Sequence, residues 1–407
     1  MSLEHLINIV GNELKLSREV VLDKLGLLIS VGQKETFSKQ TLKDSGLVEK
    51  EINLFIDHLI SAKLMSKSYS YECQRYEDYE ITTDIMSNCE FCEKTIQDSP
   101  SHIILELFEL EEELMNMLNM EQEEVLKKYL QEEYIDNYNL LIEKINKIVP
   151  FLGSGVSIPL GLPDWGGLIW EMKEKLSRQE DQEYFETLMK QGDFLSALDL
   201  VLGYSPSLNT ESRIKEYVSK RIRDDFKGDV DDSLHNIKDI LNLNSDFVIT
   251  TNYDNALSHY KKGYATAKTT DDIENLQDLF DEKQQQVIHF HGMADRKKTM
   301  IVTRQDYDDF YDNQKTKDIL NGIMAGKPLI FIGFSFKDLY FQDLYTRIRT
   351  NIGGEHFIIL PNLHPRENKQ LSNRGLRPIG IKVAREGNGL SRQGYVDALK
   401  YIINRII

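Results

Sequence analysis

From residue 147 onward, short apolar segments alternate with helical patterns, and this alternation limits the possible folds more than any other feature. Six segments predict strands: 148–152, 246–250, 287–290, 329–332, 356–360 and 379–383. Helical patterns lie between most of them, over 165–178, 213–226, 314–325, 337–349 and 393–405, with a long helical insertion over 165–243. Such alternation is typical of a parallel sheet covered by helices. We therefore predict an α/β domain over 147–407 with a Rossmann-like parallel sheet.

Residues 1–72 predict a mainly helical, winged-helix-like module. Helical patterns over 41–45 and 48–64 are followed by the polar segment 66–71, which fits a wing strand. A helix that reads DNA needs basic or amide side chains at its start, but this one begins with Val48, Glu49, Lys50 and Glu51. The pattern therefore favours a module that docks on protein, and DNA binding stays open as the less favoured alternative.

Residues 73–102 form a segment that contains all three cysteines of the chain. Cys89 and Cys92 have the C-x-x-C spacing of zinc ligands, Cys73 is a third candidate, and His102 could supply the fourth ligand that a structural zinc site needs. The alternative is a degenerate zinc ribbon that folds without metal. So few cysteines argue against a secreted protein built on disulfides.

Residues 103–146 predict an acidic helical connector of two helices, in which Leu105 and Phe108 begin an apolar stripe. The net charge of the chain is −17, and residues 76–145 alone contribute −15. A phosphate backbone would be repelled there. The sequence has neither an apolar run long enough for a membrane span nor a signal peptide, so we expect a cytoplasmic protein without membrane contact.

Glycines and polar residues follow the predicted strands, at the ends where parallel sheets bind ligands. The first strand runs into a glycine-rich turn and then a helix, which together favour an anion such as a pyrophosphate. Later strands end in a Thr-Thr-Asn-Tyr-Asp run, in His289-Phe-His291-Gly and in Gly-Phe-Ser-Phe-Lys-Asp. The pleat would place His289 and His291 on one face, and Ser335 and Asp338 would form a capping box. The alternative interpretation is that these side chains only cap helices. The candidates are Gly153, Ser154, Gly155, Ser157, Asp164, Thr251, Asn252, Asp254, His291, Gly333, Ser335 and Asp338.

In this order, the motifs resemble those of the sirtuin family, specifically the NAD-hydrolysing branch of bacterial antiphage defence proteins. G-S-G-V-S-x-x-x-G-L-P-D-W is similar to the family's glycine turn, T-T-N-Y-D to its T-Q-N-x-D motif, and His291-Gly292 to its catalytic histidine. The resemblance covers about residues 147–383. Residues 147–407 contain no cysteine, so the zinc module of deacylating sirtuins is absent, and Gly166 replaces their arginine. Protein deacylation is therefore the least favoured interpretation of the function.

The resemblance implies that the chain cleaves NAD+ to nicotinamide and ADP-ribose. Asn252 would orient the ribose and the attacking water, Asp254 would position Asn252 or hold the carboxamide of nicotinamide, and His291 would act as base. The remaining candidates would bind the NAD+, with the glycine turn around its pyrophosphate, and Ser335 and Asp338 would contact the adenosine ribose or close the site.

Loss of NAD stops a cell, so such an enzyme must be silent until it is triggered. We expect the N-terminal region, self-assembly into a homo-oligomer, or a sensor protein of the defence system to provide that control. The alternatives are a pocket that senses NAD or ADP-ribose without chemistry and a winged-helix regulator.

Overall fold

A computed structural model describes residues 3–32, 36–243, 245–261, 267–281, 285–336, 338–387 and 389–406. The chain forms two compact units, Met1–Val125 and Leu126–Ile407. Lys337, with which the helix predicted over 337–349 begins, lies outside the described residues.

The first unit contains helices packed with a three-stranded antiparallel sheet of order β2-β1-β3. Its core includes Leu6, Leu25, Phe55 and Leu59, all fully buried. The elements are α1 (Leu3–Leu14), α2 (Arg18–Gly32), α3 (Lys39–Asp44), α4 (Glu49–Ser61), β1 (Met65–Cys73), β2 (Asp78–Thr82), β3 (His102–Leu110) and α5 (Glu112–Tyr129), in which the boundary between the units falls. This order of helices and strands is compatible with a winged helix, which stays a prediction.

The acidic start of α4 has a structural explanation. The Glu51 carboxylate accepts a hydrogen bond from the backbone N–H of Val48 (3.1 Å), which would otherwise lack a partner at the helix start. Lys24 neutralises the other oxygen of Glu51 at 2.9 Å. Glu51 thus stabilises the start of the helix, where a negative charge also faces the positive end of the helix dipole.

The prediction of a helix over the first part of 103–146 is wrong. Residues His102–Leu110 form β3, which pairs with all nine residues of β1. Leu105 and Phe108 are three residues apart and would share one face of a helix, but in a strand they face opposite sides. Accordingly, Phe108 is buried, whereas Leu105 is 52% exposed. Two helices do follow, α5 and, in the second unit, α6 (Ile135–Lys144).

The second unit is built on a seven-stranded parallel sheet of order β10-β9-β8-β4-β5-β7-β6. Its strands are β4 (Val149–Leu152), β5 (Phe247–Thr250), β6 (Lys268–Thr269), β7 (Gln286–His289), β8 (Leu329–Ile332), β9 (His356–Pro361) and β10 (Leu376–Ile381); β11 (Arg385–Glu386) and β12 (Gly389–Leu390) form a separate small hairpin. The predicted Rossmann-like α/β fold is confirmed. The two-residue edge strand β6 was not predicted.

Helices cover both faces of this sheet. Strands β4, β5, β7 and β8 are buried along their whole length, as expected for strands with a helix layer on each side. The long insertion after β4 contains α7 (Trp165–Trp170), α8 (Gln179–Gln191), α9 (Phe194–Tyr204), α10 (Glu211–Asp225) and α11 (Ile237–Leu241). The later helices are α12 (Ala256–Tyr260), α13 (Leu276–Asp281), α14 (Arg304–Asp312), α15 (Gln314–Gly326), α16 (Leu339–Ile352), α17 (Pro365–Asn373) and α18 (Arg392–Asn404).

The strand order reverses beside β4, and this reversal positions the site. From β4 the chain continues to β5 and β7 on one side, and then returns to β8, on the other side of β4, before β9 and β10. The connection after β4 therefore leads to the β5 side of the sheet, whereas the connection after the adjacent β8 leads to the β9 side. A crevice at such a switch point is where open α/β sheets bind their ligands.

Candidate active site

The glycine turn after β4 packs directly against the turn after β8. The N–H of Gly155 donates to the carbonyl oxygen of Gly333 (2.9 Å). A Cβ on Gly153 would lie 2.5 Å from that oxygen, and a Cβ on Gly155 would lie 2.8 Å from the Gly333 Cα. Gly333 itself has a φ of +64°, which favours glycine. The glycines at 153 and 155 are thus required because two backbone turns touch, in addition to any approach of a ligand.

We expect Gly155→Ala to destabilise the second unit. The added methyl group would meet only backbone atoms, which cannot move aside as a side chain would, and overpacking of this kind costs about 1–3 kcal/mol. The melting temperature should fall by several degrees, at ~2–4 °C per kcal/mol for a unit of this size. Gly203→Ala in α9 is the matched control, because its Cβ meets nothing within 4 Å and alanine favours a helix. Equal melting temperatures of the two variants would contradict the close packing.

Asn252, Ser157 and Asp254 form a buried hydrogen-bonded network at the ends of β4 and β5. The Asn252 amide donates to the carbonyl oxygen of Gly153 and to the Ser157 hydroxyl, both at 3.0 Å. Ser157 donates in turn to Asp254 Oδ2 (2.8 Å), and Asp254 Oδ1 accepts from the N–H of Ala256 (3.0 Å). Both amide hydrogens of Asn252 are thereby engaged, so its carboxamide oxygen is the group available to a ligand.

His289 and His291 occupy different environments, so the prediction that they share one face is wrong. The strand β7 ends at His289, and His291 lies in the following turn. His289 is fully buried, and its Nδ1–H donates to the backbone carbonyl oxygen of Asn252 (2.9 Å). This histidine supports the loop that holds Asn252.

His291 faces the cavity described below and contacts a tyrosine of α14. Its Nε2 lies 2.7 Å from the Tyr311 hydroxyl. Burial lowers the pKa of His291 to about 3, because an imidazolium ion loses its hydration there. His291 is therefore neutral at physiological pH and can accept a proton.

Asp338 caps α16 and also reaches Tyr311. Its Oδ1 accepts from the N–H of Phe341 (3.0 Å). The Tyr311 hydroxyl lies close enough to this carboxyl group to act on its pKa in the lowering direction. Burial raises the pKa of Asp338 to about 6. The predicted capping box of Ser335 with Asp338 is wrong, because Asp338 is itself the N-cap and Phe336, at a φ of +54°, separates Ser335 from the helix.

All twelve candidate residues line one cavity of about 1170 Å³ in the second unit. Asp164 contributes there as the N-cap of α7, with its Oδ1 accepting from the N–H of Gly167 (2.7 Å). Among the described residues that line the cavity, Arg304 and Arg392 carry the positive charges. The volume exceeds the ~300–1,000 Å³ of most small-molecule pockets, so the cavity has room for a dinucleotide.

Sequence reasoning missed Tyr311, whose hydroxyl contacts His291 and lies near Asp338. It also missed several side chains that complete the cavity: Trp165, Arg304, Tyr307, Arg392 and Tyr395. Tyr307 and Tyr311 are one helical turn apart on α14, and that spacing was the available signal.

The four predicted metal ligands lie in the first unit. The ligand atoms of Cys73, Cys89, Cys92 and His102 all lie within 4.8 Å of one another. Among the described residues, no helix is both long and apolar enough to cross a membrane.

Residues 246–379 match the model of the SIR2-like domain family. This part of the second unit is similar to SIR2-like domains. The family resemblance that the strand-end motifs indicated is thereby confirmed. The matched residues run from β5 to β10 and include Asn252, His291 and Asp338, whereas the glycine turn after β4 lies before them.

Curated relatives of this chain come from bacteria. It is similar to a protein named NAD(+) hydrolase ThsA from Cytobacillus dafuensis, with 24% identity over 240 residues that cover 58% of this chain and 42% of the relative. A protein of the same name from Enterococcus faecium is 24% identical over 227 residues, 53% of this chain and 42% of the relative. Defense-associated sirtuin 2 of Bacillus subtilis is 23% identical over 248 residues, 57% of this chain and 23% of the relative. The chain thus matches less than half the length of these relatives.

Proposed function

We propose that this chain hydrolyses NAD+ to nicotinamide and ADP-ribose and acts as the NAD-depleting effector of an antiphage defence system. The proposal rests on the hydrogen bonds of Asn252. Gly153 and Ser157 engage both of its amide hydrogens, so its carboxamide oxygen is left for a ligand in the cavity. The SIR2-like domain and the names of the relatives support NAD+ as the substrate.

Asn252 would act at the ribose of NAD+. Nicotinamide leaves as a neutral molecule from a cationic precursor, so the reaction needs no strong acid, and its transition state resembles an oxocarbenium ion. The carboxamide oxygen of Asn252 would accept a hydrogen bond from a ribose hydroxyl or from the attacking water. Asp254 would act as a positioning residue, because both of its oxygens are engaged by Ser157 and the N–H of Ala256.

His291 would take the proton of the attacking water. A histidine whose pKa lies near 3 holds a proton poorly, so the proton must move on. In the arrangement we propose, the proton of the water moves to Nδ1, the proton on Nε2 moves to the Tyr311 oxygen, and the hydroxyl proton of Tyr311 moves to the Asp338 carboxylate. His291 and Tyr311 end neutral, and one proton is added to Asp338, the group with the higher pKa, about 6. This role replaces the contact of Asp338 with the adenosine ribose that the resemblance implied.

The proton path predicts an acidic limb in the pH profile. Protonated Asp338 cannot accept a proton, so kcat/KM should fall as the pH falls through about 6. Asp338→Asn keeps an N-cap of equal quality for α16 but cannot titrate. The variant should be slower than the wild type and should lack the inflection near pH 6. An unchanged inflection in the variant, or a flat wild-type profile between about pH 5 and 8, would rule out Asp338 as the acceptor.

The proposal includes control by assembly or by a partner. The experiment that tests it measures nicotinamide release from NAD+ by the full chain, at rising protein concentrations and with its particle mass measured in parallel. Release that rises more steeply than the protein concentration would support activation in a homo-oligomer. Release in linear proportion would favour control by a sensor protein or none. Tight NAD+ binding without release at any concentration would favour a sensing module instead of an enzyme.

A further inference from the structure

Cys73, Cys89, Cys92 and His102 come from two separate parts of residues 73–102 in the first unit. Cys73 ends β1 and His102 begins β3, and the two residues are direct cross-strand partners. Cys89 and Cys92 belong to the excursion between these strands. The fold thus brings together one pair from the sheet and one pair from a turn, with Cys92 Sγ and His102 Nε2 3.3 Å apart.

Cys73 and Cys89 each begin a turn of the same form. The N–H of Glu77 donates to the Cys73 carbonyl oxygen (3.0 Å), and the N–H of Glu93 donates to the Cys89 carbonyl oxygen (2.9 Å). In both turns the residue four positions after the cysteine is left-handed, with φ values of +54° and +57°. The second turn contains Cys92 at its fourth position, whereas the first has Tyr76, which is 61% exposed. His102 occupies the ligand position that a second cysteine of the first turn would fill.

The orientation of His102 is fixed for metal binding. Its Nδ1–H donates to the carbonyl oxygen of Ile96 (3.0 Å), so its Nε2 carries the lone pair that faces Cys92. A metal-bound histidine commonly donates its other N–H in this way, which sets the tautomer. In the second turn, the N–H of Phe91 points at Cys89 Sγ (3.4 Å), a contact that favours a thiolate.

The apolar core around the four ligands is small. Besides Cys73 and Cys89, it contains two fully buried side chains, Tyr71 and Ile96. Residues 74–101 include one short strand and no helix. A segment with so little buried apolar surface generally needs a metal or disulfides to hold its fold.

We propose that Cys73, Cys89, Cys92 and His102 bind one structural zinc ion that ties the paired ends of β1 and β3 to the segment between them. Three thiolates and one imidazole are a common tetrahedral zinc set, and a site with four protein ligands leaves no position open for catalysis. In such a site, neighbouring ligand atoms lie ~3.5–4 Å apart, given the Zn–S and Zn–N distances. The observed spread of at most 4.8 Å needs only small movements of the side chains.

The test is the metal content of the purified full chain, measured without reference to any activity. We expect one zinc per chain. After cobalt replaces the zinc, the protein should show the visible absorption of a tetrahedral cobalt–thiolate site. His102→Ala and Cys92→Ser should lower the zinc content at least tenfold. His102→Cys should retain it, because a fourth thiolate completes the same geometry.

Three results would overturn the proposal. One is a chain that stays metal-free after it is purified from zinc-supplemented cells and incubated with zinc under reducing conditions. Another is a disulfide between two of the three cysteines in the chain as isolated. The third is a zinc content that is the same in His102→Ala and in the wild type. If His102→Ala fails to fold, the zinc content of His102→Cys and the cobalt spectrum of the wild type still test whether the site binds metal.

Discussion

Replacing Asn252 with alanine is expected to lower nicotinamide release by at least about 10²-fold, to near the detection limit. The change removes the carboxamide oxygen that we assign to the ribose or the attacking water. Loss of one positioned polar group in a buried site costs about 10²–10³-fold in kcat. The measurement is kcat for NAD+ with the full chain, determined from the nicotinamide that chromatography quantifies.

Stability must be measured alongside, because Asn252 also donates to Gly153 and Ser157. Loss of these bonds leaves buried acceptors unpaired, at about 1–3 kcal/mol, so the melting temperature should fall by only a few degrees. Asn242→Ala, at an exposed asparagine after α11, is the matched control and should keep wild-type kcat and stability. A folded Asn252→Ala protein with wild-type kcat would remove Asn252 from the reaction.

Replacing His291 with alanine should have a similarly large effect, about 10²–10⁴-fold on kcat, which is the range for a positioned base. The imidazole is the group that links the cavity to Tyr311 and Asp338. Tyr311→Phe keeps the aromatic ring but removes the hydroxyl that passes the proton to Asp338, so its effect should be of the same order, about 10²-fold or more. Both kcat values are compared with that of the wild type at one pH above 7.

The relative size of the two losses in kcat tests the proton path. If Tyr311→Phe kept the wild-type kcat while His291→Ala lowered it, the proton would leave the imidazole by a route other than Tyr311. If neither variant changed kcat, the site assignment would be wrong at this histidine. His364→Asn is the control, since His364 is exposed and serves as the N-cap of α17, a position that asparagine fills equally well.

The sequence predicted the sheet and the residues of the candidate site because both follow from local patterns. Apolar segments such as 329–332 and 356–360 are buried strands, and parallel strands bring their carboxyl ends to one edge. Residues as distant as Gly153, Asn252 and Gly333 could therefore be placed together without knowledge of any contact between them. The structure adds the reason for the glycines, which is the packing of one turn on the other.

What the sequence could not predict depends on packing between elements. Tyr311 reaches the site only because α14 lies beside the turn that holds His291, and no strand-end pattern points to a helix. The separation of His289 from His291 depends on where β7 ends. In β3, Leu105 and Phe108 have a spacing that a helix and a partly exposed strand both allow, and only pairing with β1 decides between them.

The acidic charge is concentrated in one part of the chain. Residues 76–145 carry −15 of the −17, and this whole segment precedes residues 246–379, which match the SIR2-like family. The Arg18 guanidinium pairs with Glu4 and Glu121, and these carboxylates raise its pKa further. The acidity therefore belongs mainly to the cysteine segment and to α5 and α6, and it says little about the charge of the substrate.

The most direct test of the central claim is the product balance of NAD+ incubated with the purified full chain. Hydrolysis predicts that nicotinamide and ADP-ribose accumulate in equal amounts as NAD+ disappears, and that the Asn252→Ala protein produces neither. NAD+ that binds but stays intact at every protein concentration, or equal product formation by the wild type and Asn252→Ala, would contradict the account.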